Sequence, residues 1–357
     1  MDRIKKLKIL LIGHQDPWTI FNSYVSKYKV LGHEVEVVNV RTAYSISFLN
    51  RSLNAVLNRL GIIPVYFGTQ KLNASILERA EELKPDLVIF YNSFFVSKNT
   101  VERLKTDFKS VVFCWTTDAT FYNRNISRPL LKTIPLFDCH FTINSSTMPD
   151  LKEKGAKRVI LTPPAADRAI HFPIEVSEEE EKNLGADLVF VGTYANDKRA
   201  EYSERLCRDG YKIKIYGTGW DGGILRCPCL RKNNRLAYRG VHSEEMSKVF
   251  NASKIVLAFL RAHNKDKQTT RTYEIPACGA FMLHERNDEV AAIFKEGEEA
   301  EFFEGYEEMK KKIDYYLGHS EERERIAKKG YERIKRYDCT YEARVETILD
   351  AYYDLKI

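Results

Sequence analysis

The sequence contains no hydrophobic run that is long enough to cross a membrane. A transmembrane helix needs about 20 consecutive apolar residues, and no stretch of the 357 residues approaches that length. No apolar signal-peptide core follows the charged first residues either. Hydrophobic residues make up 44% and charged residues 30% of the chain, as in globular proteins. We therefore expect a cytoplasmic protein, and its length suits two domains.

Cysteine is sparse and shows no regular spacing. Cys227 and Cys229 form a Cys-Pro-Cys, whereas zinc sites prefer two or more residues between paired cysteines and a second such pair, which is missing here. An odd, unpatterned number of cysteines, seven, argues for a reducing compartment. We predict no bound metal, although the role of this loop stays open. Three cysteines in apolar surroundings are expected to be buried thiols: Cys114, Cys139 and Cys278.

Acidic residues do not balance the basic ones in the first half of the chain. Residues 1–172 hold 24 Lys and Arg against 15 Asp and Glu, a net charge of +9, whereas the remainder carries −3. A basic half can face an anionic membrane, an anionic acceptor or nucleic acid, and a solvated surface also explains much of the excess. Because no nucleic-acid motif accompanies the charge, we expect no nucleic-acid partner.

Two series of short apolar runs and amphipathic segments follow one another. Strand-like runs at 7–13, 34–40 and 87–91 alternate with helical patterns, which predicts parallel strands joined by crossovers. A second series starts at 187, after an acidic stretch at 173–186 that we interpret as a linker. The predicted fold class is α/β, with two doubly wound, Rossmann-like parallel-sheet domains that face a central cleft.

The segment 44–60 has the spacing of an amphipathic helix. Apolar residues recur there at helical intervals, and Arg41, Arg51 and Arg59 accompany them. A basic amphipathic helix can lie on an anionic membrane surface, whereas such a stripe often simply faces a core. The segment therefore predicts either a core-facing helix or a peripheral contact with the inner face of the membrane.

The stretch 266–285 carries the most chemistry per residue. It follows a run at 254–260 that we predict to be a buried strand, and a helix should begin near Thr270. We place Pro276 in the first turn of that helix, where its missing N–H costs nothing, and Gly279 at the helix end. The helix start then lies at the carboxyl end of a strand, where open α/β sheets bind ligands.

The first turn of this helix has the chemistry of a phosphate and sugar site. Unpaired N–H groups at a helix start suit a phosphate, and Arg271 adds a charge whose geometry fits phosphate oxygens. Glu274 lies one turn further, where its carboxylate can accept hydrogen bonds from both hydroxyls of a ribose. The combination indicates a sugar nucleotide. The alternative is a plain βα unit in which Arg271 and Glu274 form a surface ion pair.

Several segments together follow the pattern of a known family. They are Lys84-Pro85-Asp86, Trp115-x-Thr117-Asp118, His171-x-Pro173, Phe190-Val191-Gly192-Thr193-Tyr194, Tyr216-Gly217-x-Gly219-Trp220 and Arg271-Thr272-Tyr273-Glu274. On these residues the chain resembles the CgeB-like glycosyltransferases, which are named for a spore maturation protein and are related to glycosyltransferase family 4. The resemblance covers nearly the whole chain and is most specific at 270–280.

The resemblance implies the GT-B architecture. It assigns donor binding to a domain at 187–339 and acceptor binding to a domain at 1–172, onto which a last helix at about 340–357 folds back. Such enzymes work without a bound metal, because cationic side chains and helix starts neutralise the leaving diphosphate. The resemblance therefore implies no cofactor, and a UDP- or GDP-linked sugar as donor substrate.

The resemblance also implies roles for single residues. Glu274 matches the glutamate that holds the donor ribose, and Lys198 matches the lysine that contacts the diphosphate. Asp266, eight positions before Glu274, stands where the family has a glutamate and is a candidate for the hydroxyls of the donor sugar. The other donor-site residues are Gly217, Gly219, Tyr238, Val241, Thr270 and Thr272.

The glycine turn departs from the family pattern at one position. The family has an arginine after the glycine that corresponds to Gly192, whereas this chain has Thr193. We expect Arg199 or Arg271 to take the place of that arginine beside the diphosphate.

These assignments predict a glycosyltransferase that moves a sugar from a nucleotide diphosphate to an acceptor hydroxyl. We expect the acceptor to be a glycan, a lipid-linked molecule or a component of the cell envelope or spore surface. Family 4 relatives retain the anomeric configuration, and we expect the same here. A sugar-nucleotide epimerase of the same fold and a non-catalytic binding or structural protein are the alternatives.

An inverting reaction would need a catalytic base, for which the amino-terminal half offers two residues. Asp118 follows a predicted strand at 110–115, at the site-forming edge of the sheet, although an Asp there can equally cap a helix. His14 follows the first strand, and its alternative is a loop histidine with local hydrogen bonds.

Overall fold

The protein, described by a computed structural model, divides into two compact units by its internal contacts. The first unit contains Met1–Pro163, His263–Asp266 and Tyr341–Ile357, and the second contains Pro164–Ala262 and Lys267–Thr340. Each unit has its own parallel sheet. The described residues are 6–16, 19–44, 47–60, 62–63, 65–116, 121, 126–222, 226–233, 235–237 and 239–356.

The first unit is built on six parallel strands connected by helices. The strands are β1 (Lys8–Gly13), β2 (Glu34–Asn39), β3 (Leu87–Tyr91), β4 (Val111–Thr116), β5 (Cys139–Thr142) and β6 (Val159–Leu161). The helices are α1 (Ile20–Val30), α2 (Val40–Ala43), α3 (Phe48–Arg59), α4 (Gln70–Leu83), α5 (Lys98–Thr106), α6 (Arg128–Thr133) and α7 (Met148–Glu153). The strand order is β2-β1-β3-β4-β5-β6, so the direction of winding switches between β1 and β3.

The second unit contains a five-stranded parallel sheet. Its strands are β7 (Leu188–Val191), β8 (Ile213–Tyr216), β9 (Ile255–Ala258), β10 (Met282–Glu285) and β11 (Glu301–Phe303). Its helices are α8 (Glu178–Leu184), α9 (Lys198–Arg208), α10 (Pro228–Lys232), α11 (Ser243–Asn251), α12 (Thr270–Ala277), α13 (Asp288–Ile293), α14 (Tyr306–Gly318) and α15 (Ser320–Ile334). The strand order is β11-β10-β9-β7-β8. The predicted pair of doubly wound parallel sheets is confirmed.

The last helix, α16 (Tyr341–Asp354), belongs to the first unit. Its first residue, Tyr341, joins an aromatic cluster around Tyr24, and the two ring centroids are 5.3 Å apart. The ring of Tyr24 also lies 5.0 Å from Trp115 at the end of β4 and 5.3 Å from Tyr91 at the end of β3. Burial of these large rings fastens the end of the chain to the first sheet.

Both sheets are covered on both faces, which explains why their strands are short apolar runs. Every residue of β3 and β4 is buried. In the second sheet, one buried cluster contains Val189 and Val256, and another contains Leu188 and Leu257. The two clusters lie on opposite faces of the sheet, because successive side chains of a strand point to opposite sides. Among the described residues, no helix combines the length and the apolar content that a bilayer crossing requires.

The segment 173–186, which its composition predicts to be a linker, contains the helix α8. Oγ of Ser177 accepts the Glu180 N–H at 3.2 Å, and the Glu180 carboxylate accepts the Ser177 N–H at 2.9 Å, which is a capping box. No residue of this helix is buried, so the apolar periodicity that identifies helices is missing. The boundary between the units also differs from the predicted one, since residues 164–172 belong to the second unit.

The described residues 239–241, in the connection from β8 to α11, form no strand. The chain instead follows the free edge of β8 a few residues earlier. The Ile215 N–H donates to the Arg235 carbonyl at 2.7 Å and the Gly217 N–H donates to the Arg239 carbonyl at 2.8 Å. Residues 235–239 show no alternation of apolar and polar side chains, so the sequence does not predict this pairing.

Cys207 and Cys229 form a disulfide, with Cα atoms 6.0 Å apart. This differs from the reduced thiols that the unpatterned spacing predicts, because helix packing brings the end of α9 against α10. The other residue of the Cys-Pro-Cys, Cys227, is a buried thiol. The predicted burial of Cys114, Cys139 and Cys278 is confirmed.

We expect a peptide map of protein purified without reductant to contain a cross-link between Cys207 and Cys229. The link should persist in Cys227→Ser and disappear in Cys229→Ser, because only the latter removes a bonded sulfur. Mass spectrometry after alkylation under denaturing conditions checks this. Alkylation of both Cys207 and Cys229 without prior reduction would contradict the pairing.

Candidate functional site

The order of the second sheet determines where its site-forming edge lies. β7 has β8 on one side and β9 on the other, so the connections after β7 and β9 leave the sheet in opposite directions. Such a switch point is where open α/β sheets bind ligands. The loop after β7 begins at Gly192, and the connection after β9 leads into α12.

Helix α12 begins at Thr270, where the sequence predicts it. The Thr269 N–H donates to Oγ1 of Thr272 at 3.1 Å, and Nε2 of His284 lies 2.9 Å from the same hydroxyl. Thr272 is fully buried, so its side chain supports the helix start from inside. The first N–H groups of a helix have no partner within it and carry a partial positive charge.

Helix α12 ends in a Schellman motif at Gly279, whose φ is 69°. The Gly279 N–H donates to the Pro276 carbonyl at 2.9 Å, and the Ala280 N–H donates to the Ile275 carbonyl at 3.3 Å. The predicted place of Pro276 is wrong, because this residue lies in the last turn of the eight-residue helix. A proline there removes one intrahelical bond and helps to end the helix.

Arg271 and Glu274 form an ion pair on the first turns of α12. Nε of Arg271 also donates to the carbonyl oxygen of Val191 at 3.0 Å, so the guanidinium joins the start of α12 to the end of β7. Only 8% of the Glu274 side chain is exposed, against 22% for Arg271. The pair therefore lies inside the switch point, unlike the surface ion pair of the alternative interpretation.

His171 completes this buried cluster. Its Nε2 lies 3.6 Å from Oε1 of Glu274, and the N–H of Asp167 donates to its Nδ1 at 3.1 Å. Because Nδ1 accepts a hydrogen bond, the neutral ring carries its proton on Nε2 and points it toward Glu274. Burial lowers the pKa of His171, and the positive charge of Arg271 lowers it too, although Glu274 opposes this.

The carboxylate of Glu274 is ionised near neutral pH. Burial would raise the pKa of Glu274, but the positive charge of Arg271 and hydrogen bonds from Arg271 and Thr270 bring this pKa below its usual value. The cluster thus holds one anion and one permanent cation at the helix start.

His242 is a second histidine within electrostatic reach of the pair. It precedes α11 and is exposed. Partial burial and the charge of Arg271 lower its pKa, whereas Glu274 and Glu245 raise it. A neutral imidazole near the start of α12 can donate or accept a hydrogen bond at neutral pH.

Lys198 begins α9 and forms an ion pair with Glu285, the last residue of β10. The other carboxylate oxygen of Glu285 accepts the Leu260 N–H at 3.1 Å. About one third of the Lys198 side chain is exposed. This lysine therefore lies at the same sheet edge, at the start of the helix that follows β7.

Arg199 is far less suited to bind a phosphate. Its side chain is almost fully buried, and its Nε donates to both carboxylate oxygens of Asp197, at 3.0 and 3.2 Å. Of the two arginines that could replace the missing family arginine, the geometry favours Arg271, which contacts the end of β7 directly.

Gly192 and Gly217 pack backbone to backbone at the ends of β7 and β8. The Gly192 N–H donates to the Tyr216 carbonyl at 2.8 Å, and Nε1 of Trp220 donates to the Gly192 carbonyl at 2.9 Å. A Cβ on Gly217 would overlap this carbonyl oxygen. Only glycine therefore fits at position 217. The side chain of Thr193, the residue after Gly192, is exposed.

Gly219 lies beside the loop after β7, since a Cβ on it would be 3.5 Å from Tyr194 and 3.9 Å from Thr193. Val241 is buried in the core beneath the sheet edge, and Gly219 lies in the exposed turn after β8 with a φ of 80°. His14 and Asp266 belong to the first unit. Asp118 and Tyr238 lie outside the described residues.

His14 directly follows β1, at the switch point of the first sheet. Its side chain is exposed, and its carbonyl oxygen accepts the Thr19 hydroxyl at 2.8 Å. Partial burial lowers its pKa, an effect that Asp16 opposes and Arg41 reinforces. A histidine that is neutral at neutral pH can accept a proton, as a catalytic base must.

The sequence does not identify His171, His242 or Glu285 as site residues, although two of them carried a signal. His171 belongs to the His-x-Pro segment of the family resemblance, and Glu285 follows an apolar run that ends at the ligand edge of the sheet. Their partners are distant in sequence, so only the folded chain brings them together.

Comparisons with known proteins bear on the family resemblance and on the fold. Residues 199–350 match a glycosyl transferase-like family. The spore protein CgeB of Bacillus subtilis (strain 168) is 23% identical over 286 residues, which cover 74% of this chain and 83% of CgeB. The predicted resemblance to the CgeB-like glycosyltransferases is thereby confirmed.

Solved structures share the fold over nearly their whole length. Sucrose-phosphate synthase from Thermosynechococcus elongatus has a TM-score of 0.70 at 13% identity and covers 97% of this chain and 98% of its own. The Anabaena protein HepE in complex with UDP-glucose has a TM-score of 0.67 at 10% identity, with 98% and 99% covered. The predicted GT-B fold is confirmed.

We expect Gly217→Ala to destabilise the protein by about 2 kcal/mol or more, because the added methyl group overlaps the Gly192 carbonyl. Gly222→Ala is the matched control, since the added Cβ would lie 3.5 Å from the Gly219 carbonyl oxygen, an ordinary contact distance. Urea unfolding of the three proteins measures the difference. Equal losses in both variants would contradict the close approach.

We expect Glu274→Gln to lower the free energy of unfolding at pH 7 by about 3 kcal/mol, because it leaves the buried side of Arg271 without an anion. The folded-state pKa of Glu274 lies below its unfolded value, so its contribution is present above about pH 4.5 and is lost as the pH falls through the folded value. The gap between wild type and variant should therefore narrow on acidification.

Glu307→Gln serves as the control for the Glu274 variant. Glu307 also pairs with an arginine, Arg205, but 80% of its side chain is exposed, so its loss should cost less than about 1 kcal/mol. Denaturant titrations between pH 7 and pH 4 compare the three proteins. A gap that stays constant or widens as the pH falls below about 4.5 would contradict the lowered pKa of Glu274 in the folded protein.

Proposed function

We propose that this chain, which resembles the CgeB-like glycosyltransferases, transfers a sugar from a nucleotide-diphosphate sugar to an acceptor hydroxyl. The observation that carries the proposal is the buried Arg271–Glu274 pair, anchored on the Val191 carbonyl at the switch point of the second sheet. A cation, an anion and a helix start converge there, and a diphosphate linked to a ribose needs all three.

Three groups are suited to hold the diphosphate. Two of them belong to α12, namely the N–H groups at its start and the guanidinium of Arg271. The third is Lys198, at the start of the helix that follows β7. As the bond from the sugar to the diphosphate breaks, negative charge grows on the leaving phosphate oxygens. Fixed cations and helix N–H groups stabilise that charge, so we propose metal-independent transfer.

Glu274 is the proposed partner of the ribose. Its carboxylate is ionised and buried, and its two oxygens face Arg271 and His171. Hydroxyls of a bound ribose would compete with these partners for the carboxylate. Arg271, released in part from Glu274, would then turn toward the phosphates. In this proposal Glu274 binds the ribose and Arg271 binds the phosphates.

The stereochemistry and the acceptor are the less constrained parts of the proposal. We propose retention of configuration, with Asp266 as the group that holds hydroxyls of the donor sugar. An inverting enzyme would use His14 or Asp118 as its base. A UDP-linked donor is supported by the bound UDP-glucose of the similar Anabaena protein, and a GDP-linked donor is the alternative. The proposed acceptor is a glycan or a lipid-linked molecule.

A thermal-shift panel of UDP, GDP, ADP, dTDP and CMP, alone and linked to sugars, tests this proposal. A ligand that binds only the folded state at about 100 times its Kd stabilises it by about 2.7 kcal/mol. We expect one nucleoside diphosphate to raise the Tm of the wild type and not that of Glu274→Gln. The Glu307→Gln control should respond like the wild type.

The panel also separates the competing functions. No shift of the wild-type Tm with any nucleotide would overturn the proposed donor site. A shift of equal size in wild type and Glu274→Gln would place the nucleotide elsewhere. If the donor binds, conversion of the donor sugar without any acceptor would indicate an epimerase, and binding without any turnover would indicate a binding protein.

A further inference from the structure

Helix α3 and the residue after it carry apolar side chains on the outside. Leu49, Leu53, Val56 and Leu60 recur at helical spacing and are all exposed, and Phe48 is 82% exposed. In a surface helix of a globular protein, such a stripe normally packs against the core. The spacing of 44–60 allows a helix whose apolar side chains face the core. For these side chains that interpretation is wrong.

The face of α3 that turns inward is polar. Asn50 and Asn54 are only 2% and 8% exposed. Nδ2 of Asn50 donates to the Val65 carbonyl at 2.6 Å, and the Val65 N–H donates to Oδ1 of Asn54 at 2.9 Å. Two hydrogen bonds to one residue fix the rotation of the helix about its axis. The apolar stripe is therefore held outward by specific contacts.

The exposed apolar surface is concentrated in this part of the molecule. Of the eleven large hydrophobic side chains that are exposed in the described part of the chain, seven lie between residues 48 and 67. Ile62 and Phe67 extend the stripe beyond the helix. Such a concentration of exposed apolar side chains is typical of a binding surface for a protein or a membrane.

All charged residues in the stretch of sequence that contains the stripe are basic. No Asp or Glu occurs between Glu36 and Glu78. Arg51 and Arg59, which belong to α3 itself, are exposed. The basic residues of this stretch are Arg41, Arg51, Arg59 and Lys71. An apolar stripe flanked by arginines fits a partner with an apolar interior and an anionic surface, such as a bilayer that contains anionic lipids.

We propose that α3 and the following segment to Phe67 dock the first unit onto an anionic lipid bilayer. The apolar side chains would enter the boundary between head groups and acyl chains, and Arg51 and Arg59 would contact lipid phosphates. A second copy of the chain is a poorer occupant, because a symmetric contact through this face would bring the arginines of both copies together. The inference does not depend on sugar transfer, although a lipid-linked acceptor would be reached from such a surface.

Vesicle flotation with the full chain tests the docking surface. The probes are vesicles of phosphatidylcholine alone and vesicles with about one third phosphatidylglycerol. We expect wild-type protein to float with the anionic vesicles and to be released as salt rises from about 0.1 M to about 0.5 M. Phe48→Ser combined with Leu49→Ser should weaken the binding about tenfold or more, because both side chains would be buried in lipid.

Matched variants separate docking from loss of fold. Val30→Ser combined with Leu355→Ser removes two exposed apolar side chains elsewhere on the first unit and should bind like the wild type. Arg51→Gln combined with Arg59→Gln should lose the preference for anionic vesicles. Each variant is first shown to have the Tm of the wild type, which is expected because the replaced side chains are exposed.

Two results would overturn the proposal. One is wild-type protein that stays unbound to anionic vesicles at low salt. The other is a stable dimer in sedimentation experiments that Phe48→Ser with Leu49→Ser dissociates, together with no flotation, which would assign this surface to a second copy of the chain.

Discussion

The ion pair between Arg271 and Glu274 is the interaction on which the proposed donor site depends. A buried carboxylate is stable only beside a cation, and Arg271 supplies that cation while its Nε holds the Val191 carbonyl. One side chain therefore neutralises the anion and ties helix α12 to strand β7. Arg271 thereby holds α12 and β7 together at the switch point.

The surrounding residues keep the pair in one protonation state. His171 is neutral near pH 7 because burial and Arg271 both disfavour its protonation, and its Nδ1 is occupied by the Asp167 N–H. Glu274 keeps its negative charge because Arg271 and the hydrogen bonds from Arg271 and Thr270 hold its pKa below the usual value. A site with one anion and one permanent cation at a helix start suits a ligand that carries hydroxyls next to phosphates.

The first unit uses the same architecture with a different surface. Its helix α3 buries two asparagines and exposes its leucines, which is the reverse of an ordinary surface helix. Two hydrogen bonds to the backbone of Val65 specify this polarity: Asn50 donates to its carbonyl, and Asn54 accepts its N–H. The proposed enzyme would therefore combine a polar donor site in one unit with an apolar, basic face on the other.

The sequence by itself determined most of the strands, the start of α12 and the family resemblance, because short apolar runs, glycine turns and helix signals are local. It could place Arg271 and Glu274 one turn apart for the same reason. Only the tertiary structure decided that this pair is buried, that His171 lies beside it, and that α3 turns its apolar side outward. Those facts depend on contacts between residues far apart in the chain or on burial, which no local pattern encodes.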